Sequence, residues 1–192
     1  MQFWPELIRG AFLIEFILKV IWLLLPSYTP NNFAVVFGGG KPIDFGKKFI
    51  DGKRILGDGK TFRGFGFGLL GGFFVANLQL IFERIFNIML YSSLNYWSFF
   101  VLVLSLSFGS LFGDLVGSFL KRRLNIERGG PAPLLDQLDF LIFSFTFAYL
   151  ISPHFKVFFT FDVILTAFII TPILHVLTNY IAYKLKLKEV PW

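Results

Sequence analysis

Long apolar stretches separated by polar breaks dominate the chain, and their lengths carry the first structural expectation. A helix needs about 20 mostly apolar residues to cross the hydrocarbon of a bilayer. Five stretches meet that length, at roughly 4–25, 65–86, 97–120, 138–158 and 162–183. They predict an all-α, polytopic integral membrane protein with five transmembrane helices, forming a single domain over residues 1–192. The first stretch is interrupted by Glu15 and Lys19, four residues apart with the acid first, an order that pairs them on one helix face. Gly64, Gly68 and Gly72 recur every four residues near the start of the second, the spacing that lets two membrane helices approach closely.

The polar breaks are unequal, and their charge gives the helices a direction. Lys41, Lys47, Lys48, Lys53, Arg54, Lys60 and Arg63 fall in the first connection, and Lys121, Arg122, Arg123 and Arg128 in the third. The second and fourth connections are nearly bare, and Lys184, Lys186 and Lys188 follow the last stretch. Excess Lys and Arg mark the cytoplasmic side, so the N-terminus is expected outside and both long polar loops in the cytoplasm. Composition agrees with a lipid solvent: 55% of residues are hydrophobic, 28 are Phe and only 16% are charged, against roughly 25% in soluble domains. The net charge of +6 is accounted for by the cytoplasmic loops, and no nucleic-acid motif accompanies it. With no cysteine, thiolate metal sites, cysteine nucleophiles and disulfides are excluded.

Candidate chemistry lies in the two basic loops. Residues 31–64 are too polar to span a membrane and too rich in glycine for a stable helix, so they are expected to form a loop. Within them Gly38, Gly39 and Gly40 precede Lys41, and Gly59, Lys60 and Thr61 stand at the mouth of the second stretch, where a cation and a hydroxyl can meet phosphate oxygens. The third stretch places Asp114 about two turns inside its basic end, with Ser118 and Lys121 along the same face. An acid at that depth needs a partner, water or a metal. After Gly129 and Gly130, Asp136 and Asp139 stand three apart at the opening of the fourth stretch. Three oxygen ligands suit Mg²⁺, which uses one or two carboxylates and completes its shell with water and phosphates. His154 and His175 are set aside as ligands, the first near the outer surface and the second embedded in the last span.

These residues resemble a known signature. Gly113-Asp114, Ser118, Lys121-Arg122, Gly129-Gly130 and Asp136-x-x-Asp139 are similar to the motif of the membrane CTP-dependent cytidylyltransferases, the CDP-diacylglycerol synthase family. Lys60-Thr61-Phe62-x-Gly64 matches a second block. Lys41-Pro42-Ile43-Asp44 and Arg54 through Thr61 resemble the archaeal branch, CDP-archaeol synthase. Pro131-Ala132-Pro133 after the glycine pair, and Gln137 where the wider family often has Arg, depart from the broader pattern.

The resemblance implies a multi-pass enzyme of the cell membrane with its site facing the cytoplasm. Its substrates would be CTP and the isoprenoid glycerol phosphate lipid 2,3-bis-O-(geranylgeranyl)-sn-glycerol 1-phosphate, its products pyrophosphate and the CDP-activated lipid, and its cofactor Mg²⁺. Asp114, Asp136 and Asp139 would hold metal, and Lys60, Lys121 and Arg122 would neutralise phosphate. Thr61 and Ser118 would donate hydrogen bonds, while Asn31, Asn32, Lys41, Asp44 and Asp58 would position the nucleotide or the loop. Two competing readings are a CTP-dependent polyprenol kinase, acting at the γ-phosphate, and a small anion transporter.

Overall fold

The computed structural model describes residues 3–127, 129–184 and 186, with side chains from Gly10 onward except at Ala182; Arg128 and Lys188 of the charge count lie outside them. The order is α1 (Phe3–Val36), α2 (Phe62–Ile85), a single 3-10 turn (Tyr91–Ser93), α3 (Tyr96–Arg123), α4 (Leu135–Ile151), α5 (Phe155–Phe158) and α6 (Phe161–Lys184). Among the described residues four helices are long and apolar enough to cross a membrane: α1 from Gly10, α2, α3 and α6 up to Ile181. The fourth predicted stretch is shorter than expected. Ser152 adopts extended backbone at the end of α4 because Pro153 follows it, and the residue before proline is pushed away from helical dihedrals.

The first helix departs from expectation in the other direction. The first stretch was expected to cover roughly 4–25, yet α1 runs on to Val36 through both Pro26 and Pro30. Each proline lacks an N–H and orphans the carbonyl four residues earlier, a loss that hydrocarbon cannot make good with water. Neighbouring helices supply the donors. Gln79 Nε2 on α2 donates to the Trp22 carbonyl at 2.7 Å, and Ser107 Oγ on α3 donates to the Pro26 carbonyl at 3.0 Å. The helix therefore continues, and Asn31 and Asn32 lie on α1 rather than in the loop, which starts only after Val36. The expected Glu15–Lys19 ion pair is absent, both side chains being exposed on the outer face of α1.

Packing is closest where glycines face backbone. On α2 a methyl group at Gly68 would stand 2.9 Å from the Pro30 carbonyl oxygen, so the expected close approach is made against α1. A second stripe, Gly109, Gly113 and Gly117, does the same between α3 and α4: a methyl at Gly113 would stand 2.5 Å from the Asp139 carbonyl oxygen. Hydroxyls lace these helices together. Ser27 and Ser144 are bonded at 2.6 Å, Ser144 Oγ donates to the Leu106 carbonyl at 2.9 Å, and Ser110 Oγ donates to the Ser27 carbonyl at 2.6 Å. Around them Val20, Leu23, Leu24, Leu102, Val103, Leu106 and Leu141 are fully buried. At the opposite end from the two long loops, Glu83 is fully buried and accepts from Trp22 Nε1 at 2.8 Å and Ser92 N at 2.7 Å, pinning α1, α2 and the 3-10 turn.

If Gln79 compensates for Pro26, Gln79→Leu lowers unfolding stability in detergent by about 1 kcal/mol, the usual worth of one hydrogen bond. Pro26→Ala restores the missing N–H, so it should recover most of that loss in the double variant. Thermal unfolding of the four proteins measures the coupling, and strictly additive effects would refute the compensation.

Candidate active site

The first loop is a small folded unit organised by one carboxylate. Asp44 is buried, and its Oδ1 accepts from Gly46 N at 3.0 Å and Arg54 Nη2 at 2.9 Å, while Oδ2 accepts from Leu56 N and Gly57 N at 3.0 Å each and from Arg54 Nε at 3.3 Å. Burial pushes its pKa up, but the Arg54 guanidinium and three backbone N–H groups outweigh that and hold it well below the usual carboxylate range. The staple therefore contributes fully above the ordinary value of 3.8 and is lost only as pH falls through the lower folded value. Asp58 pairs with the same Arg54 at 2.7 Å. Bridges between Pro42 and Thr61 and between Lys48 and Arg54 close the unit into a narrow hairpin.

Of the residues expected to position the nucleotide or the loop, three are engaged within the loop itself. Asp44 spends its oxygens inside the loop, exposed Asp58 is tied to Arg54, and exposed Lys41 contributes its carbonyl, which accepts from Phe62 N at 3.2 Å. None of the three borders the two cavities that hold the acids of the site. Arg123 fastens the unit to the end of α3: its guanidinium pairs with Asp51 at 2.9 Å, donates to the Arg54 carbonyl and lies over the rings of Phe49 and Phe119 at 5.0 and 4.7 Å. Lys53 Nζ returns a bond to the Arg123 carbonyl at 3.0 Å. At the far end of the loop Thr61 caps α2 by accepting from Gly64 N at 3.0 Å, and this sets Lys60 against Asp114, with which it forms an ion pair.

The second polar loop brings the other acids to the same place. Lys121 on α3 pairs with Asp136 Oδ1 at 2.9 Å, and Asp136 Oδ2 accepts from Ala132 N at 3.0 Å, so one carboxylate joins α3, the loop and the first turn of α4. Asp139, one turn further on, lies flat against Gly117, where any β-carbon would collide with its carboxylate. Its Oδ1 accepts from Phe140 N at 2.6 Å. Arg122 donates to the Ile126 carbonyl at 2.7 Å, and half-buried Ser118 makes no hydrogen bond among the described residues; neither borders the two cavities that hold the acids.

Two adjoining cavities share Asn31, Val35 and Asp114 as their common wall. The larger, of about 840 Å³, is within the range of roughly 300–1,000 Å³ usual for small-molecule sites. It is lined by Asp114, Lys121, Asp136 and Asp139, by Asn31 and Asn32 of α1, by Gly129 and Gly130, and by Thr171, His175, Thr178 and Asn179 of α6. The smaller, of about 90 Å³, holds Lys60, Thr61, Gly59 and Gly64. The α6 residues were missed, although polar groups at steps of four, seven and eight on one face of an apolar span were a readable signal. His175, assigned to the embedded part of that span, thus reaches the cavity.

Among the described residues no three acids or histidines stand close enough to form a closed metal cage. The donor set still fits a hard divalent cation bound mainly by water and phosphate. All three carboxylates face one cavity, two of them are held by ammonium groups, and the Asn31 Oδ1 beside them is buried and accepts no hydrogen bond while its Nδ2 donates to Ser110 Oγ at 3.2 Å.

Comparison with known proteins places the chain in a family. The family model described as CDP-archaeol synthase (CarS-like) matches residues 13–192. A CDP-archaeol synthase of Archaeoglobus fulgidus is 57% identical over 180 residues, covering 94% of this chain and all of that one. One of Methanocaldococcus jannaschii is 47% identical over 176 residues, covering 90% and 95%. A solved structure, described as an intramembrane enzyme for archaeal membrane lipids biosynthesis, superposes with a TM-score of 0.69 at 36% identity, over 85% of this chain and 94% of that one. With the family model matched over nearly its whole length, and with a relative of equal extent more than half identical, the chain belongs to the CDP-archaeol synthase family.

Proposed function

We propose that the protein is a Mg²⁺-dependent cytidylyltransferase that condenses CTP with 2,3-bis-O-(geranylgeranyl)-sn-glycerol 1-phosphate, releasing pyrophosphate and the CDP-activated archaeal lipid. One observation carries this reading: Asp114, Asp136, Asp139 and Lys121 line a single cavity, and Asp114 also borders the chamber of Lys60 and Thr61. Two polyanions can meet only where cations outnumber their mutual repulsion, and phosphoryl transfer asks little else of a protein. The lipid phosphate is itself anionic at neutral pH, so its oxygen attacks the α-phosphorus of CTP without a side-chain base, and the bond to pyrophosphate breaks in line.

Lys60 and Lys121 shift from Asp114 and Asp136 towards phosphate oxygens as the substrates enter, and Thr61 and Asn31 orient the nucleotide. Asp114, Asp136 and Asp139, with the Asn31 amide oxygen, would hold Mg²⁺, which when bound neutralises phosphate charge and stabilises the leaving pyrophosphate.

The same proposal includes topology. The 17 residues of α4 rise about 25 Å, the lower limit for a span, and make it the fifth crossing helix. The N-terminus is then outside, the site opens to the cytoplasm where the basic loops gather, and residues 1–192 act as one domain.

Two experiments test the chemistry. With purified protein in detergent, label from α-³²P-CTP enters the lipid and γ-label leaves as pyrophosphate; γ-label in the lipid would instead show a kinase. Asp136→Asn and Asp139→Asn each lower kcat by about a hundredfold or more with unfolding temperature preserved, the scale expected on losing charge stabilisation in a transition state. Near-normal turnover of both would remove these acids from the mechanism.

A further inference from the structure

We propose that the hairpin tip of the first loop is seated in the headgroup layer of the protein's own membrane, with anionic lipid as its binding partner. The tip is a tight turn in which Gly52 N donates to the Phe49 carbonyl at 2.9 Å and Phe49 N to the Lys53 carbonyl at 2.8 Å. Turn positions favour small polar residues. Here the second residue is Ile50, which is 94% exposed. Another apolar group stands out with it on the loop: Phe45 is 63% exposed and packed on exposed Phe62 with ring centroids 5.4 Å apart.

These exposures belong to a rigid unit. The Asp44 staple fixes the hairpin internally, and Arg123, held between Phe49 and Phe119, fixes it across the end of α3. The hairpin therefore lies over the helix ends, at the level where spans leave the hydrocarbon.

Charge identifies the partner. The three acids of the hairpin are neutralised from within, Asp44 and Asp58 by Arg54 and Asp51 by Arg123. Lys41, Lys47, Lys48 and Arg63 remain exposed with no acid against them among the described residues. An apolar tip with exposed, unpaired basic side chains on the same loop and the start of α2 matches a surface that is apolar below and negative above, with lysine stems lying along the acyl boundary and ammonium groups among the phosphates. A water-facing loop would gain nothing from Ile50, and a protein partner would not need the uncompensated cations.

The chain contains no cysteine, so Ile50→Cys introduces a unique labelling site in the full-length protein. A nitroxide there, compared with one at Asp58→Cys, is measured in vesicles of zwitterionic lipid and of mixtures with phosphatidylglycerol. At position 50 collisions with oxygen should exceed those with a water-soluble nickel chelate, the excess growing with anionic lipid, while position 58 stays water-like. Replacing Lys47 and Lys48 with Gln should weaken the anionic-lipid dependence by about fivefold per charge removed. Equal, water-like accessibility at both positions in every vesicle overturns the proposal. So does dipolar broadening between labels on two copies, which would make the tip a contact between chains.

Discussion

The closeness of α3 to α4 decides whether this protein has a site at all. Gly109, Gly113 and Gly117 form a groove in α3 so shallow that the backbone of α4 rests directly in it, and a methyl at any of the three would collide with Phe143 or Asp139. That contact presses Asp139 onto α3 and carries Asp136, one turn earlier, within reach of Lys121. Interhelical attraction in lipid comes mainly from van der Waals contact, since tails are as apolar as leucine. A seam of glycines therefore fixes the depth and orientation of the acids more firmly than the acids could fix themselves.

The same logic extends to α1, whose two prolines ought to break it. Gln79 and Ser107 take up the carbonyls that Pro26 and Pro30 leave bare, so the helix reaches Val36 and places Asn31 between the two chambers. Stability in the bilayer and construction of the site use the same bonds. Ser110 shows this most directly, donating its hydroxyl to the Ser27 carbonyl and receiving the Asn31 amide.

Much of this was legible in the chain and some was not. Apolar run lengths located the long helices, and the acids stood out because Asp114 sits so deep in an apolar stretch. The extension of α1 was hidden, because proline punctuates a sequence and only the tertiary structure reveals the donors that cancel it. The fate of Asp44 was hidden for a related reason. An aspartate in a glycine-rich basic loop resembles a ligand until Arg54 and three backbone N–H groups are seen to consume it. The α3 seam and the polar face of α6 are both written as four-residue spacings, but a spacing alone does not say which neighbour a helix face meets, and depth in a span does not say whether His175 faces lipid or a cavity.

The pairing of Lys60 with Asp114 and of Lys121 with Asp136 bears on how such a site survives between turnovers. An uncompensated carboxylate near the hydrocarbon is costly, and so is a bare ammonium. Each acid here holds a cation that is covalently part of the chain, on a flexible stem anchored a few residues away. The exchange of partners then becomes nearly balanced. An entering phosphate could take the lysine, and the carboxylate it leaves would be free to hold a divalent cation of the kind proposed above, so that no charge need be left alone. Asp139, which has no ion pair among the described residues, is sheltered instead by the glycine groove. The unequal treatment of the three acids follows from where each sits: two border the mobile ends of lysines, and the third is locked by packing.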